Sequence, residues 1–581
     1  MAKTGAFTFV LHSHLPYARR AGMWPHGEEW VHEAIAETYV PLLNALYDLS
    51  EEGVPWALTV GLTPILAEQL ADPLIGEHFR TYAAERASWA AADVDRFEAA
   101  GESELRDLAR REPHWYARIL SSFTDRFGGD LVGAFRALQD AGNLDIATSA
   151  ATHGYLPLLS RDSSVHGQLH TGVRASTRHF GRSPQSVWLP ENAYRPAREA
   201  TNHGVVVHRP GLESFLAEER LRVFFSETLT VEDGAVVGKA IGDVIGVYGG
   251  LRRTPARIEP GAEVGEPGTT YQPYWVGDAP GEVAVLARNN RTGLQVWSAA
   301  YGYPGDGAYR EFHKKDTNSG MRYWRVGGRD LGLGDKPLYE PAIAQERVRS
   351  HADHYVHLVE ELLGTYHAEH GRTGVISAAY DTELFGHWWA EGIDWLQGVL
   401  RGLAHSETVE FANAARIIAL HPPDQVLNLP ESSWGNNGDH STWLNDETAW
   451  MWPLIHGAER RMEELVAAHP RAGGERERLL NQTARELLLL QSSDWPFLIT
   501  TGQAKEYAIE RFQTHLERFE RLARLADAAE PLNEEQRAFL AEMEERDNPF
   551  PAINYRDWAE RQGIANVAPV GEPGAAGPLN P

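Results

Sequence analysis

Phe7-Thr8-Phe9-Val10-Leu11-His12-Ser13-His14-Leu15-Pro16 is an apolar run that breaks off in two histidines and a proline. Residues 7–11 read as a buried strand, and the periodicity of residues 31–49 predicts a helix behind it. The pattern then repeats along the chain. Residues 56–60 read as a strand ending at Gly61-Leu62-Thr63-Pro64, and residues 144–149 as one leading to Thr152-His153-Gly154-Tyr155. Residues 186–189 end in Pro190-Glu191, residues 205–208 in Arg209-Pro210-Gly211, and residues 375–379 in Tyr380-Asp381. Residues 283–287 and 295–298 are further strand candidates. Strands alternating with helices argue for a parallel α/β architecture. Polar residues gather at the carboxyl ends of the strands, where barrel enzymes keep their sites. With about seven such strands, the expected fold is a barrel, slightly short of or distorted from eight strands.

The barrel is expected to occupy residues 1–410, with a polar, alanine-rich helical insert over 68–140. Beyond 411 the pattern turns helical, with helices predicted at 454–469, 475–491, 502–527 and 533–545, so that 411–565 forms an all-α region. The segment 254–273 reads as a loop, 227–250 as a glycine-rich excursion, and 566–581 as a disordered tail. No secretory signal is evident and no window is apolar enough to span a membrane. A cytoplasmic protein is expected.

The composition narrows the choice of chemistry. The chain has 581 residues and no cysteine, which excludes disulfides, thiolate metal sites and cysteine nucleophiles. Lys+Arg number 54 against 81 Asp+Glu, a net charge of −27, which argues against a nucleic-acid partner. There are 18 tryptophans, whose flat apolar faces suit stacking on sugar rings, although most are core residues.

Four clusters carry chemistry. In His12-Ser13-His14 the i, i+2 spacing puts both imidazoles on one face of a strand end, either as metal ligands or as hydrogen-bonding groups in a polar cleft. Glu191 follows a strand and a proline, a position natural to a barrel mouth. Asp381, Glu383 and His387 cluster beside Phe385, Trp388 and Trp389, and apolar neighbours raise a carboxyl pKa as a general acid requires. The stretch Glu431-Ser432-Ser433-Trp434-Gly435-Asn436-Asn437-Gly438-Asp439-His440 is a tight loop with Trp443 close behind; Asp494-Trp495-Pro496 repeats the carboxylate–aromatic theme. Two carboxylates on separate strand ends, walled by tryptophan, would suit glycosidic bond chemistry.

Together these segments resemble family 57 of the glycoside hydrolases. His12-Ser13-His14-Leu15-Pro16, Gly61-Leu62-Thr63-Pro64, Trp188-Leu189-Pro190-Glu191, Tyr380-Asp381-Thr382-Glu383 and the Trp434–Asp439 stretch look like the family's ordered motifs. Ala151-Thr152-His153-Gly154-Tyr155, Gln295-Val296-Trp297-Ser298, Tyr301-Gly302-Tyr303-Pro304-Gly305, Leu384-Phe385-Gly386-His387-Trp388-Trp389 and Ser493-Asp494-Trp495-Pro496-Phe497 are similar to its α-1,4-glucan branching members. The resemblance implies a distorted (β/α)7 barrel with a helical insert and a helical C-terminal domain, and a retaining mechanism with no cofactor and no required metal, acting on amylose, amylopectin or glycogen as a monomer. It implies Glu191 as nucleophile and Asp381 as acid/base. His12, His14, His153, Arg288, His387, Asp439 and Asp494 would bind substrate, and Trp24, Trp297, Trp434 and Trp443 would be sugar-stacking walls. Tyr248, in the glycine-rich excursion, is the candidate tip of a lid that keeps water from the intermediate. A 4-α-glucanotransferase or α-amylase of the same family is the alternative. A metal-dependent deacetylase or mannosidase with His12 and His14 as ligands, or an inactive glucan-binding protein, lies further off.

Overall fold

The structure, a computed structural model, describes residues 3–202, 205–232, 241–244, 251–254, 268–277, 282–298, 301–328 and 330–561. The parallel barrel strands are β1 (Gly5–Ser13), β2 (Leu58–Leu62), β3 (Leu144–Ala147), β4 (Ser186–Val187), β5 (Val223–Ser226), β6 (Ala284–Ala287) and β7 (Gly374–Asp381). β1 lies between β7 and β2, and β2 pairs with β3. β5 lies between β4 and β6. Two single bridges close the ring: Thr148 with Val187 joins β3 to β4, and Arg288 with Ser377 joins β6 to β7. The β3–β4 seam is this thin because β4 is only two residues long. The result is the distorted seven-stranded barrel that the family resemblance implies.

All nine residues of β1 are buried. A strand covered on both faces reads as a continuous apolar run, which is why it was legible. Its register sets His12 opposite Asp381 on β7 and opposite Gly61 on β2. Two strand expectations fail. Residues 295–297 belong to the helix Asn290–Trp297, whose first turn is capped by the Asn289 side chain accepting from Thr292 N, and Ser298 is its C-cap. Val205–Arg209 is a strand, but it pairs antiparallel with Arg198–Asn202 as a hairpin apart from the barrel. The barrel uses Val223–Ser226 instead.

The helix behind β1 is interrupted. Glu28–Ala34 and Val40–Glu51 are α-helical, and Ile35–Tyr39 between them winds as a π-helix. Such wide turns often occur where a helix serves a site. Between β2 and β3 come helices Pro64–Leu70, Pro73–Ala100, Ser103–Ala109, Arg111–Ser121 and Leu131–Asp140. The 28-residue Pro73–Ala100 starts on the Asp72 cap and Pro73 and ends at left-handed Gly101. It buries Ile75, Phe79, Ala83, Ala90 and Phe97 at helical spacing.

Beyond Phe411 the chain stays with the barrel as far as Trp434. Val409–Phe411 pairs with β1, and Val426–Leu427 pairs with Tyr274–Val276. The helices Met451–Ala468, Glu475–Leu490, Asp494–Thr501, Lys505–Asp527 and Glu534–Arg546 follow. They share one apolar core with the β4–β5 side of the barrel. The expected tail lies outside the described residues.

Candidate active site

Glu191 sits in the turn Pro190–Asn192 that follows β4, with φ 61° and ψ 23°, and Asn192 also has positive φ. Non-glycine residues seldom adopt this left-handed geometry, and it costs about 1–3 kcal/mol where it occurs. The surrounding bonds hold it. Trp434 N donates to Glu191 O at 3.0 Å, and Trp434 Nε1 donates to Glu191 Oε2 at 2.7 Å. Ser493 Oγ donates to Oε1 at 3.2 Å. Burial pushes the carboxyl up to about 7; the Trp434 bond, His14 and Ser493 pull the other way, while the charge of Asp494 adds to the rise.

Two histidines, His12 and His153, are linked to this residue through Ser493, and His14 stacks beside them. His153 Nδ1 is 2.9 Å from Ser493 Oγ, and His153 Nε2 is 3.1 Å from His12 Nε2. Because Ser493 gives its proton to Glu191, it accepts from His153 Nδ1–H. That leaves His153 Nε2 as acceptor for His12 Nε2–H. Every proton in the chain His12→His153→Ser493→Glu191 therefore points toward the carboxylate. Burial and the neighbouring His14 hold His12 well below the usual imidazole range, and burial with both other histidines does the same to His153, consistent with two neutral rings. His12 stacks on Trp188 with centroids 4.6 Å apart. His14 differs. Burial opposes its charge, but Asp494, 3.0 Å from Nε2, outweighs burial and raises its pKa. Its Nδ1 is 3.0 Å from Thr63 Oγ1.

Asp381 ends β7 and accepts no hydrogen bond from the described residues. Burial, then the charges of Glu383 and Glu191, hold its carboxyl well above the usual range, and Arg288 opposes them. Arg288 is itself held by Glu227 at 2.5 Å. Glu383 takes a bond from the Tyr39 hydroxyl and is pushed up to about 7, chiefly by burial. Two residues before Tyr39 in the π-helix, Glu37 accepts from His387 Nδ1 at 2.6 Å and Arg322 Nη1 at 3.0 Å. Burial works against its charge, yet Arg322 and His387 hold it down to about 2. Gly386 lets this happen: with φ +99°, its missing Cβ would lie 1.9 Å from the Glu37 carbonyl oxygen.

His14, Glu37, Glu383, His387 and Asp494 line a cleft of about 870 Å³; Glu191 and Asp381 are not part of its lining. Its aromatic walls are Trp24 (76% exposed), Trp89 and Trp388 (each 46%), so all three offer a face to a ligand. Trp24 was legible in the sequence; Trp89, on the long insert helix, was not. Four other expectations need correction. Trp443 is 1% exposed and stacks on Tyr155 at 4.4 Å, so it packs behind the site and has no face for a sugar. Trp434 is a hydrogen-bond donor to Glu191, with its ring edge-on to Trp188. Asp439 is exposed and caps its own turn by accepting from Ser441 N. Trp297, 36% exposed, ends its helix and is not part of the cleft lining. Tyr248 lies outside the described residues. Glu37, Arg322 and Ser493 were missed. A single acid in the apolar run Ala34-Ile35-Ala36-Glu37 was the available signal for the first.

A closed parallel barrel with paired buried carboxyls at its mouth and tryptophan along the cleft defines a carbohydrate-active enzyme. Residues 8–430 match glycosyl hydrolase family 57, and the chain belongs to that family. Residues 454–558 match the C-terminal region described as 1,4-alpha-glucan branching enzyme, C-terminal. The chain is 44% identical over 551 residues to a 1,4-alpha-glucan branching enzyme of Thermococcus kodakarensis, covering 94% of this chain and 78% of that one. The crystal structure of a family 57-type branching enzyme from Pyrococcus horikoshii superposes with TM-score 0.85 at 39% identity, covering 97% and 99% of the two chains. That of the α-amylase AmyC from Thermotoga maritima does so with TM-score 0.77 at 29% identity, covering 96% and 99%.

Proposed function

We propose that the site works by retaining double displacement in this chain, a 1,4-α-glucan branching enzyme, with Glu191 as nucleophile and Asp381 as acid/base. The observation that carries the assignment is the asymmetry of their bonding. Donors from Trp434 and Ser493 favour an ionised Glu191. Burial and two like charges favour a protonated Asp381.

In the first step Asp381 gives its proton to the glycosidic oxygen of an α-1,4-glucan as the Glu191 carboxylate attacks the anomeric carbon. The C1–O4 bond breaks, the reducing-side fragment leaves, and a β-glycosyl ester forms on Glu191. In the second step the Asp381 carboxylate takes the proton of an acceptor 6-hydroxyl, whose oxygen attacks the same carbon from the opposite face. The ester breaks, Glu191 is restored, and an α-1,6 branch results. Trp24, Trp89 and Trp388 would carry glucan chains along the cleft.

Activity as a branching enzyme is supported by the branching-type C-terminal match and by identity over nearly the whole chain. The donor in this reading is amylose, amylopectin or glycogen, and the product a glycogen-like polymer made in the cytoplasm. In this reading the enzyme acts as a monomer.

The test is to incubate the protein with amylose, treat half with a debranching enzyme, and count reducing ends in both halves. Few ends before debranching and many after it are expected. Shortened or redistributed amylose with no rise on debranching would make this an amylase or a 4-α-glucanotransferase.

A further inference from the structure

Away from the catalytic carboxyls, helix Glu28–Ala34 and helix Pro73–Ala100 meet at Glu28, His32 and His78. One ligand atom from each lies within 4.8 Å of the other two. His78 Nδ1 is 2.5 Å from Glu28 Oε2, and His32 Nε2 is 3.8 Å from the same oxygen. His32 is fully buried, and neither of its ring nitrogens has a hydrogen-bond partner among the described residues. Glu28 is 2% exposed, and among the described residues its charged partners within ion-pair distance are only these two histidines. Its other oxygen accepts from Arg20 N at 2.7 Å.

A buried imidazole with nothing to bond costs free energy, as does a buried carboxylate with no fixed cation. Both defects are removed by one group, a divalent cation among the three side chains. Two imidazoles and one carboxylate form a zinc-type donor set, and at metal–ligand distances of about 2.0–2.2 Å the three atoms need shift by only about 1 Å. His78 is 32% exposed, which leaves water to fill the fourth position.

We infer that Glu28, His32 and His78 form a structural zinc site that staples the two helices together. The consequence reaches the cleft. The first helix lines it with Glu29, Trp30 and Glu33, and the second with Tyr82, Arg86 and Trp89. The ion would fix the spacing of those two walls and, through the Arg20 bond, the segment that leads to Trp24. A second cluster, His166, His170 and Glu219, is less suited because all three of its residues are partly exposed.

The experiment strips the full-length protein with chelator, loads it with zinc chloride, dialyses it against metal-free buffer, and measures bound zinc by mass spectrometry. Wild type should keep one zinc per chain and melt at higher temperature with zinc than without. Losing even an outer partner of a metal ligand costs about 10–100-fold in affinity, so His78→Ala should bind at least ~100-fold more weakly. His32→Ala should do the same; should it not fold, the partly exposed His78 decides. Cobalt(II) loading gives an independent readout, with visible absorption bands in wild type that vanish in His78→Ala. A wild type that keeps no zinc overturns the inference. So does a folded His78→Ala that keeps a full equivalent, or an equivalent lost in His170→Ala and retained in His78→Ala.

Discussion

Glu191 follows β4 and Asp381 ends β7 of one barrel, yet their surroundings are opposite. Glu191 receives an indole N–H and a serine O–H, and a chain of neutral histidines keeps that serine pointing at it. Asp381 receives no bond from the described residues and faces the like charges of Glu383 and Glu191. Both carboxyls are raised by burial, so burial alone does not separate a nucleophile from an acid. What separates them is the supply of donors. The donors at Glu191 come from far along the chain: Trp434 lies in the loop after the last barrel pairing, and Ser493 precedes the helix Asp494–Thr501. The acid needs only its strand end and its neighbours.

The largest effect should come from the nucleophile itself. Glu191→Gln should lower transfer by about 10⁴-fold or more, the scale on which loss of a nucleophile acts, measured as branches formed per unit time. Asp381→Asn should cost less with an activated aryl glucoside than with amylose. General acid–base catalysis contributes about 10²–10⁴-fold, and a good leaving group needs little of it. Equal losses on both donors would erase the proposed difference between the two residues.

A third outcome concerns stability. The folded-state pKa of Glu191 stands near 7, above its ordinary 4.5. Below the ordinary value both folded and unfolded states are protonated and burial of the group carries no ionic penalty. As pH rises from there toward 7, the unfolded chain ionises first and the folded state loses stability. Glu191→Gln should therefore be more stable than wild type at pH 8, by up to about 3 kcal/mol, and equal to it near pH 4. Melting temperatures across that range check the sign.

The smallest effect sharpens the comparison most. kcat/KM should rise with pH through about 7 as Glu191 ionises and fall at higher pH as Asp381 loses its proton. Trp434→Phe keeps the ring and removes the N–H, so the acid limb should move up by about one to two pH units while the alkaline limb stays. Ser493→Ala should move the same limb in the same direction by less, since its bond is longer.

Much of this was legible from strand ends. The apolar run that stops at His12 marks β1, and Pro190-Glu191 and Tyr380-Asp381 mark β4 and β7. Other parts were hidden for physical reasons. Val223–Ser226 has four residues and no strong motif after it, while the equally short run 295–298 is mostly helical; periodicity does not distinguish runs so short. Tryptophan presents either a face or an N–H, and the sequence does not say which. Trp434 uses its N–H, Trp443 neither, and Trp89 offers a face from a helix that reads as surface.

The division of roles between the two carboxyls is tested most directly by azide rescue of Glu191→Ala and Asp381→Ala with an aryl α-glucoside, followed by product stereochemistry. Without the nucleophile, azide attacks the donor directly and gives the β-glucosyl azide. Without the acid/base, azide attacks the glycosyl ester on Glu191 and gives the α-glucosyl azide. The account predicts that pairing, and the reverse pairing would contradict it.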